Sequence, residues 1–287
     1  MLLTVYGWLY ITPYIQILRI RPSLDFGIRQ DGIQNELITS LTNSEELKVR
    51  QTESINSLLQ SKGLTNYASI TPSIARNISQ KLDADVFIYG SINQSGSTIR
   101  LNAQLVDSKT EDLLKSFQLD GIAENILPLI DSLSMMAKNY LIISELEKEL
   151  PVGFRYYGST NSLEAFRYFI YGQKAFHKGD FSNAAKLFSQ AIAIDSNFVS
   201  AVFGLSYSYF NQGLYDERYY EEAKKWCVRL YKKREQMPME QKISTNKLYA
   251  AFFGTPYEEI EYIRQIRELD DQSPDTYFSL GNLYYKL

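Results

Sequence analysis

The sequence predicts an α+β region followed by an all-α one: a small mixed α/β domain built around an antiparallel meander, then a helical repeat solenoid. Three observations carry this reading. Apolar residues alternate with period two across much of residues 84–120, the strand signal ends by Ser159, and small and aromatic residues then recur at a fixed interval. The chain has 287 residues, enough for two units that each bury a core. The expected division is an apolar N-terminal segment over 1–23, the α/β domain over 24–150 and the repeats over 159–287.

The first eighteen residues, MLLTVYGWLYITPYIQIL, carry no side-chain charge, and Arg19, Arg21 and Arg29 follow. That length reaches the threshold for a membrane-spanning helix. Gly7 and Pro13 weaken such a helix, and no basic residue precedes the run as a signal peptide needs. Two readings stand for this segment: an anchor giving membrane association through residues 1–20, or a first strand over Tyr14–Ile20.

Ile33, Leu37 and Leu41 share one face of a helix over about 28–42. A short strand is expected at Leu47–Gln51. Thr71-Pro72 reads as an N-cap followed by proline in the first turn, which opens a helix running to about Leu82. In the next stretch Ile99, Leu101, Ala103 and Leu105 fall on one side and Arg100, Asn102 and Gln104 on the other, the pattern of a half-buried strand. Turn formers at Gln94–Ser97 and Asp107–Thr110 divide 84–93, 98–107 and 112–120 into a meander. A long helix closes the domain, with Ile126, Leu129, Ile130, Leu133, Met136, Ala137, Tyr140 and Leu141 on one stripe.

This order of elements, with GIQNELITSL, LDADVFIYGSI and GSTIRLNAQLVDSKT at its centre, resembles the TolB-like N-terminal domain related to the CsgG-like family. The resemblance covers roughly 24–148 and implies a cell-envelope location, periplasmic or membrane-associated, with the cytoplasm as the alternative. The family's first strand and its Pro-Phe turn are not recognisable in YIQILRIRPS.

Past Ser159 the pattern is that of paired helices. With Ala165 as position one of a unit, Tyr168, Gly172, Gly179, Ala184, Phe188 and Ala191 fall where small and bulky residues let two antiparallel helices nest. These residues are similar to the tetratricopeptide repeat, with Tyr171, Ala175 and Ser196 as departures from its pattern. A second unit starts at Val199, with Leu205, Tyr209 and Gly213 in its first helix. About five additional residues in LYDERYYEEAKKW bring Ala223 to the small-residue position and leave Trp226 or Cys227 to pack. A degenerate third unit follows, and SPDTYFSLGNLYYKL opens a fourth with Tyr277, Leu280, Gly281 and Tyr284. Half a repeat cannot bury its own apolar face, which implies a fragment of a longer chain or an end that docks onto a partner.

In the repeat family certain positions of each first helix line a concave groove. The resemblance therefore implies a peptide-binding groove of Phe166, Phe169, Gln173, Phe176 and His177 from the first unit, and Ser200, Phe203, Tyr207, Phe210 and Asn211 from the second. The family's lysine-rich clamp for peptide carboxylates has no counterpart here. Apolar and aromatic anchoring is expected instead.

Composition excludes other classes. Lys+Arg 30 against Asp+Glu 33 leaves no positive excess for phosphates, so nucleic acid is not an expected partner. One His and one Cys supply neither a metal set nor a disulfide, and no cofactor is expected. GSINQSGS reads as a hairpin turn, because no helix follows it to form a phosphate loop. His177 lacks an oriented nucleophile, and Asp83, Asp107 and Asp195 sit at element ends as turn or cap residues. The expected function is a non-enzymatic protein-interaction scaffold. Its alternatives are the sensor half of a signalling protein whose effector domain lies elsewhere, and a small-molecule-binding α/β domain. The oligomeric state is left open.

Overall fold

The computed structural model describes residues 14–22, 30–43, 46–50, 57, 71–148, 150, 160–269 and 274–286. It divides into two compact units, Met1–Ile142 and Ile143–Leu287.

The first unit holds a five-stranded mixed sheet in the order β2-β1-β3-β4-β5, formed by β1 (Tyr14–Pro22), β2 (Lys48–Val49), β3 (Val86–Ser95), β4 (Thr98–Asp107) and β5 (Leu113–Ile122). Strand β1 pairs parallel with both β2 and β3, while β3, β4 and β5 run antiparallel as the period-two pattern predicts. Of the two N-terminal readings, the strand is the one seen, and it extends to Pro22. It takes up the last five residues of the uncharged run, Tyr14 to Leu18. No helix among the described residues is long and apolar enough to cross a membrane. The anchor reading also involves residues 1–13, which lie outside the described residues.

Strand β4 buries Ile99, Leu101, Ala103 and Leu105, each at 1% exposure or less, and turns Arg100 and Gln104 outward. Arg100 lies opposite Asp120 on β5, and two hydrogen bonds of 2.7 and 2.9 Å join the guanidinium to the carboxylate. Close approach sets the pairing of β3 with β4. Gly90 lies opposite Ala103, and a Cβ on it would collide with the carbonyl oxygen of Asn102. A bulge leaves Leu114 unpaired between the pairs Leu105–Lys115 and Val106–Leu113. Its carbonyl is satisfied by the Tyr140 hydroxyl, which donates over 2.8 Å.

Among the described residues the sheet is accompanied by the helices α1 (Gln30–Thr42), α2 (Pro72–Lys81) and α3 (Leu127–Lys148). Thr71 caps α2 as expected, accepting from the Ile74 amide, and Ala75 and Ile78 pack on Phe87 of β3. Arg76 and Gln80 donate from α2 to carbonyls of the β4–β5 turn, at Ser108 and Lys109. Within that turn the Asp107 carboxylate accepts from the Lys109 and Thr110 amides.

The second unit is a succession of helical hairpins: α4 (Leu163–His177) with α5 (Phe181–Ile194), α6 (Val199–Gly213) with α7 (Glu217–Tyr231), and α8 (Met239–Phe253) with α9 (Pro256–Leu269), followed by α10 (Pro274–Lys286). Side-chain caps open the second helix of each pair. Asp180 accepts from Asn183, Asp216 from Arg218, and Thr255 and Glu258 exchange hydrogen bonds in a capping box. Gly179 holds the first hairpin tip at φ 77°, a left-handed conformation that glycine adopts without strain.

The core of the first hairpin centres on Phe188, which is fully buried. A Cβ on Gly172 would stand 2.7 Å from its ring, and one on Gly204 would stand 2.6 Å from it. The ring is thus held between its own hairpin and the next one. Ala184 and Ala191, both fully buried, keep α5 close to its neighbours. Tyr168 packs half-buried against the same core.

The five additional residues of the second unit do not form a longer loop. Three residues join α6 to α7, as three join α4 to α5. The core residues Ala223, Cys227 and Leu230 of α7 each lie 39 positions after Ala184, Phe188 and Ala191. Small buried residues of the first helices, Gly172 and Ser206, lie 34 apart. The difference is absorbed as helix at the end of α6 and the start of α7. Cys227, fully buried, is the packing residue, whereas Trp226 is half-buried.

In α10, Leu280 and Leu283 pack against Ile260 and Ile263 of α9. Tyr277 and Tyr284 are each 52% exposed, and a Cβ on Gly281 would meet nothing. These three expected packing positions are therefore open.

Candidate functional site

The residues expected to line a groove separate into two groups. Phe166 and Phe169 are each 1% exposed and belong to the core, which corrects their assignment to an open surface. The physical reason is Phe198, in the connection after α5. Its ring lies 5.1 Å from Phe169 and 6.3 Å from Phe166, and Phe188 closes the far side of Phe169 at 5.8 Å. Gln173, Ser200 and Phe203 are also buried.

The second group stays at least partly open. Phe176, Tyr207, Phe210 and Asn211 are half-buried and His177 is exposed. They lie on α4 and α6, the first helices of their hairpins. Phe176 meets His177 edge-on at 6.3 Å and Phe181 at 5.2 Å. Phe203 and Tyr207 lie 4.9 Å apart on successive turns of α6. Phe210 reaches across to Phe252 of α8 at 5.5 Å, and Tyr220 joins both. The result is an aromatic surface shared by the second and third hairpins. The Asn211 amide is turned back onto its own helix, donating to the Tyr207 carbonyl over 2.8 Å.

Electrostatics single out Tyr207. Burial raises its phenol well above the ordinary tyrosine range, and the Glu259 carboxylate adds to the effect. The hydroxyl therefore remains protonated at every physiological pH. Burial likewise pushes the Cys227 thiol up to about 12, which makes it a packing group and no nucleophile. Among the described residues no three His, Cys, Asp or Glu side chains are grouped to hold a metal.

Two side-chain amides of this unit have buried oxygens that the sequence does not mark as related. The Gln173 Oε1 and Asn246 Oδ1 atoms are buried without a hydrogen-bond partner among the described residues. The available signal was the recurrence of a small residue just before each, Gly172 and Thr245, obscured by the lengthened second unit.

No family model matches the sequence, and no curated protein matches it. Solved structures similar to part of the chain include the LpoB C-terminal domain from Salmonella enterica, at 16% identity and TM-score 0.35, covering 39% of this chain and 83% of that one. The lipoprotein GNA1162 from Neisseria meningitidis aligns at 17% identity and TM-score 0.34, covering 42% and 94%. TolB from Acinetobacter baumannii aligns at 18% identity and TM-score 0.31, covering 50% and 30%. At these TM-scores the likenesses carry no argument about activity.

Proposed function

We propose that the chain is a protein-interaction scaffold whose helical hairpins, stacked in the manner of tetratricopeptide repeats, receive a peptide or protein segment along their first helices. The observation that supports this is the half-open aromatic surface of Phe210, Tyr220 and Phe252, with Phe176 on the preceding hairpin. Aromatic side chains that are rigid and partly desolvated before binding lose little conformational entropy when a partner covers them. A chemical role has no comparable support, since the lone thiol is buried and protonated and His177 stands exposed beside Phe176. The cell envelope as its location rests on the sequence resemblance of residues 24–148 alone.

The test is a display library of twelve-residue peptides selected on the immobilised full chain. Enriched peptides are expected to lose binding to Phe176→Ser and Phe210→Ser proteins of unchanged circular dichroism, and to retain it with Tyr285→Ser on α10. Unchanged binding to the first two, or no enrichment at all, overturns the reading.

A further inference from the structure

Helix α10 has two unlike faces. Thr276, Leu280 and Leu283 are each 8% exposed or less and lie on one side, where the two leucines pack on Ile260 and Ile263 of α9. The other side centres on Gly281, where an added Cβ would meet nothing within 4 Å. Around the glycine stand Tyr277, Phe278, Tyr284 and Tyr285, at 52%, 71%, 52% and 93% exposure. At about 100° per residue, all four fall within about 60° of Gly281. Tyr284 is steadied by Arg264 of α9, whose guanidinium donates to its hydroxyl over 2.9 Å. A single exposed aromatic is ordinary, but four on one face of a 13-residue helix form a contiguous patch.

The order of the four residues points to what covers them. They stand four and three residues before Gly281 and three and four after it, so the face reads the same in both directions. A second α10 laid antiparallel across the first, glycine to glycine, sets Tyr277 against the partner's Tyr285 and Phe278 against the partner's Tyr284. Such self-matching is what a two-fold interface requires. Charge agrees with this order. The ten residues between Asp275 and Lys286 carry no charged side chain, and antiparallel docking brings the acidic end of one helix to the basic end of the other. Area agrees as well. The four exposures amount to about two and a half aromatic side chains, roughly 500 Å² at about 200 Å² each. Two copies then bury about 1,000 Å², the lower bound of a specific interface.

We infer that the chain pairs with a second copy of itself through α10, the two helices crossing antiparallel at Gly281 with their aromatic faces interleaved. This pairing is independent of the proposed groove, which lies on the first three hairpins.

Sedimentation equilibrium of the full chain is expected to show monomer and dimer exchanging with a dissociation constant of about 10 µM, as suits an interface of this size. Phe278→Glu and Tyr285→Glu should each weaken the dimer about a hundredfold, because a substitution acts twice in a two-fold interface. Their urea midpoints at low concentration should stay unchanged, since both side chains are exposed in the single chain. Register is read by oxidative cross-linking, from which the buried Cys227 is shielded. A mixture of Tyr277→Cys and Tyr285→Cys proteins is expected to give the mixed disulfide. Tyr277→Cys protein alone should stay unlinked, because the two copies of position 277 lie about 12 Å apart along the crossed helices, beyond the reach of a disulfide. A chain that remains monomeric at about 100 µM, tenfold above the expected constant, overturns the inference and leaves the face to a different helix. A dimer indifferent to both glutamate variants overturns it too, since the copies then meet elsewhere. Self-linking of Tyr277→Cys protein as fast as the mixture refutes the antiparallel crossing.

Discussion

Adding one methyl group at Gly172 tests the nesting of the hairpins. A Cβ there would lie 2.7 to 3.1 Å from three atoms of the Phe188 ring, inside ordinary van der Waals contact. The ring cannot retreat, because Gly204 of the next hairpin faces it at comparably short range and the side chain is fully buried. Overpacking of this kind costs about 1–3 kcal/mol, against a helix-propensity gain of about 0.8–1 kcal/mol for replacing glycine by alanine. Gly172→Ala should therefore destabilise the protein by about 1 kcal/mol. In a Phe188→Leu background the ring is gone, and the same substitution should stabilise it by about 0.8 kcal/mol, its bare propensity. Urea denaturation of the four proteins of this cycle, followed by circular dichroism, measures both signs. If Gly172→Ala stabilises the otherwise unaltered protein, the close approach at this glycine does not constrain the fold and the packing account is wrong.

Three further outcomes follow from the structure. At Gly90 an alanine would strike the Asn102 carbonyl across β3 and β4, so Gly90→Ala should lower stability by about 1–3 kcal/mol, read from its urea midpoint. Burial raises the pKa of the Asp107 carboxyl, but the Thr110 and Lys109 amides that it accepts from outweigh this and hold it below the ordinary value. Its stabilisation is then present above about pH 4, the unfolded value, and is lost as pH falls through the lower folded one; Asp107→Asn should cost about 1 kcal/mol at neutral pH and close to nothing in acid, in parallel urea titrations. With its thiol buried and pushed up to about 12, Cys227 should resist iodoacetamide at pH 8 in the folded protein and react only at the rate at which the second unit opens.

How legible each part was depends on how local its cause is. Strand β4 was readable because one of its faces is buried and the other is wet, which imprints alternation on consecutive residues. Strand β1 left two readings because its alternation is broken at Leu18, where the pairing with β3 shifts register between Ile17 and Arg19, and a short apolar run so interrupted looks the same as part of a helix. Gly172 showed itself through spacing, whereas Gly204, which presses on the same ring from the next hairpin, has no place in the repeat pattern. Phe166 and Phe169 were misplaced for a similar reason. What covers them is Phe198, about thirty residues further along, and periodicity within one helix carries no record of what will close over it.

The unequal lengths of the hairpin units have a consequence for assembly of the stack. Identical modules can slide past one another by a whole unit and still find matching neighbours, so an array of them is open to misthreading as it folds. Here the added residues, about 1.4 turns of helix, fall after Ser206 in α6 and before Ala223 in α7, and carry the tip of the middle hairpin further beyond its packing residues than that of the first. A slip by one whole unit would set arms of unequal reach side by side, so the odd spacing works against that slip.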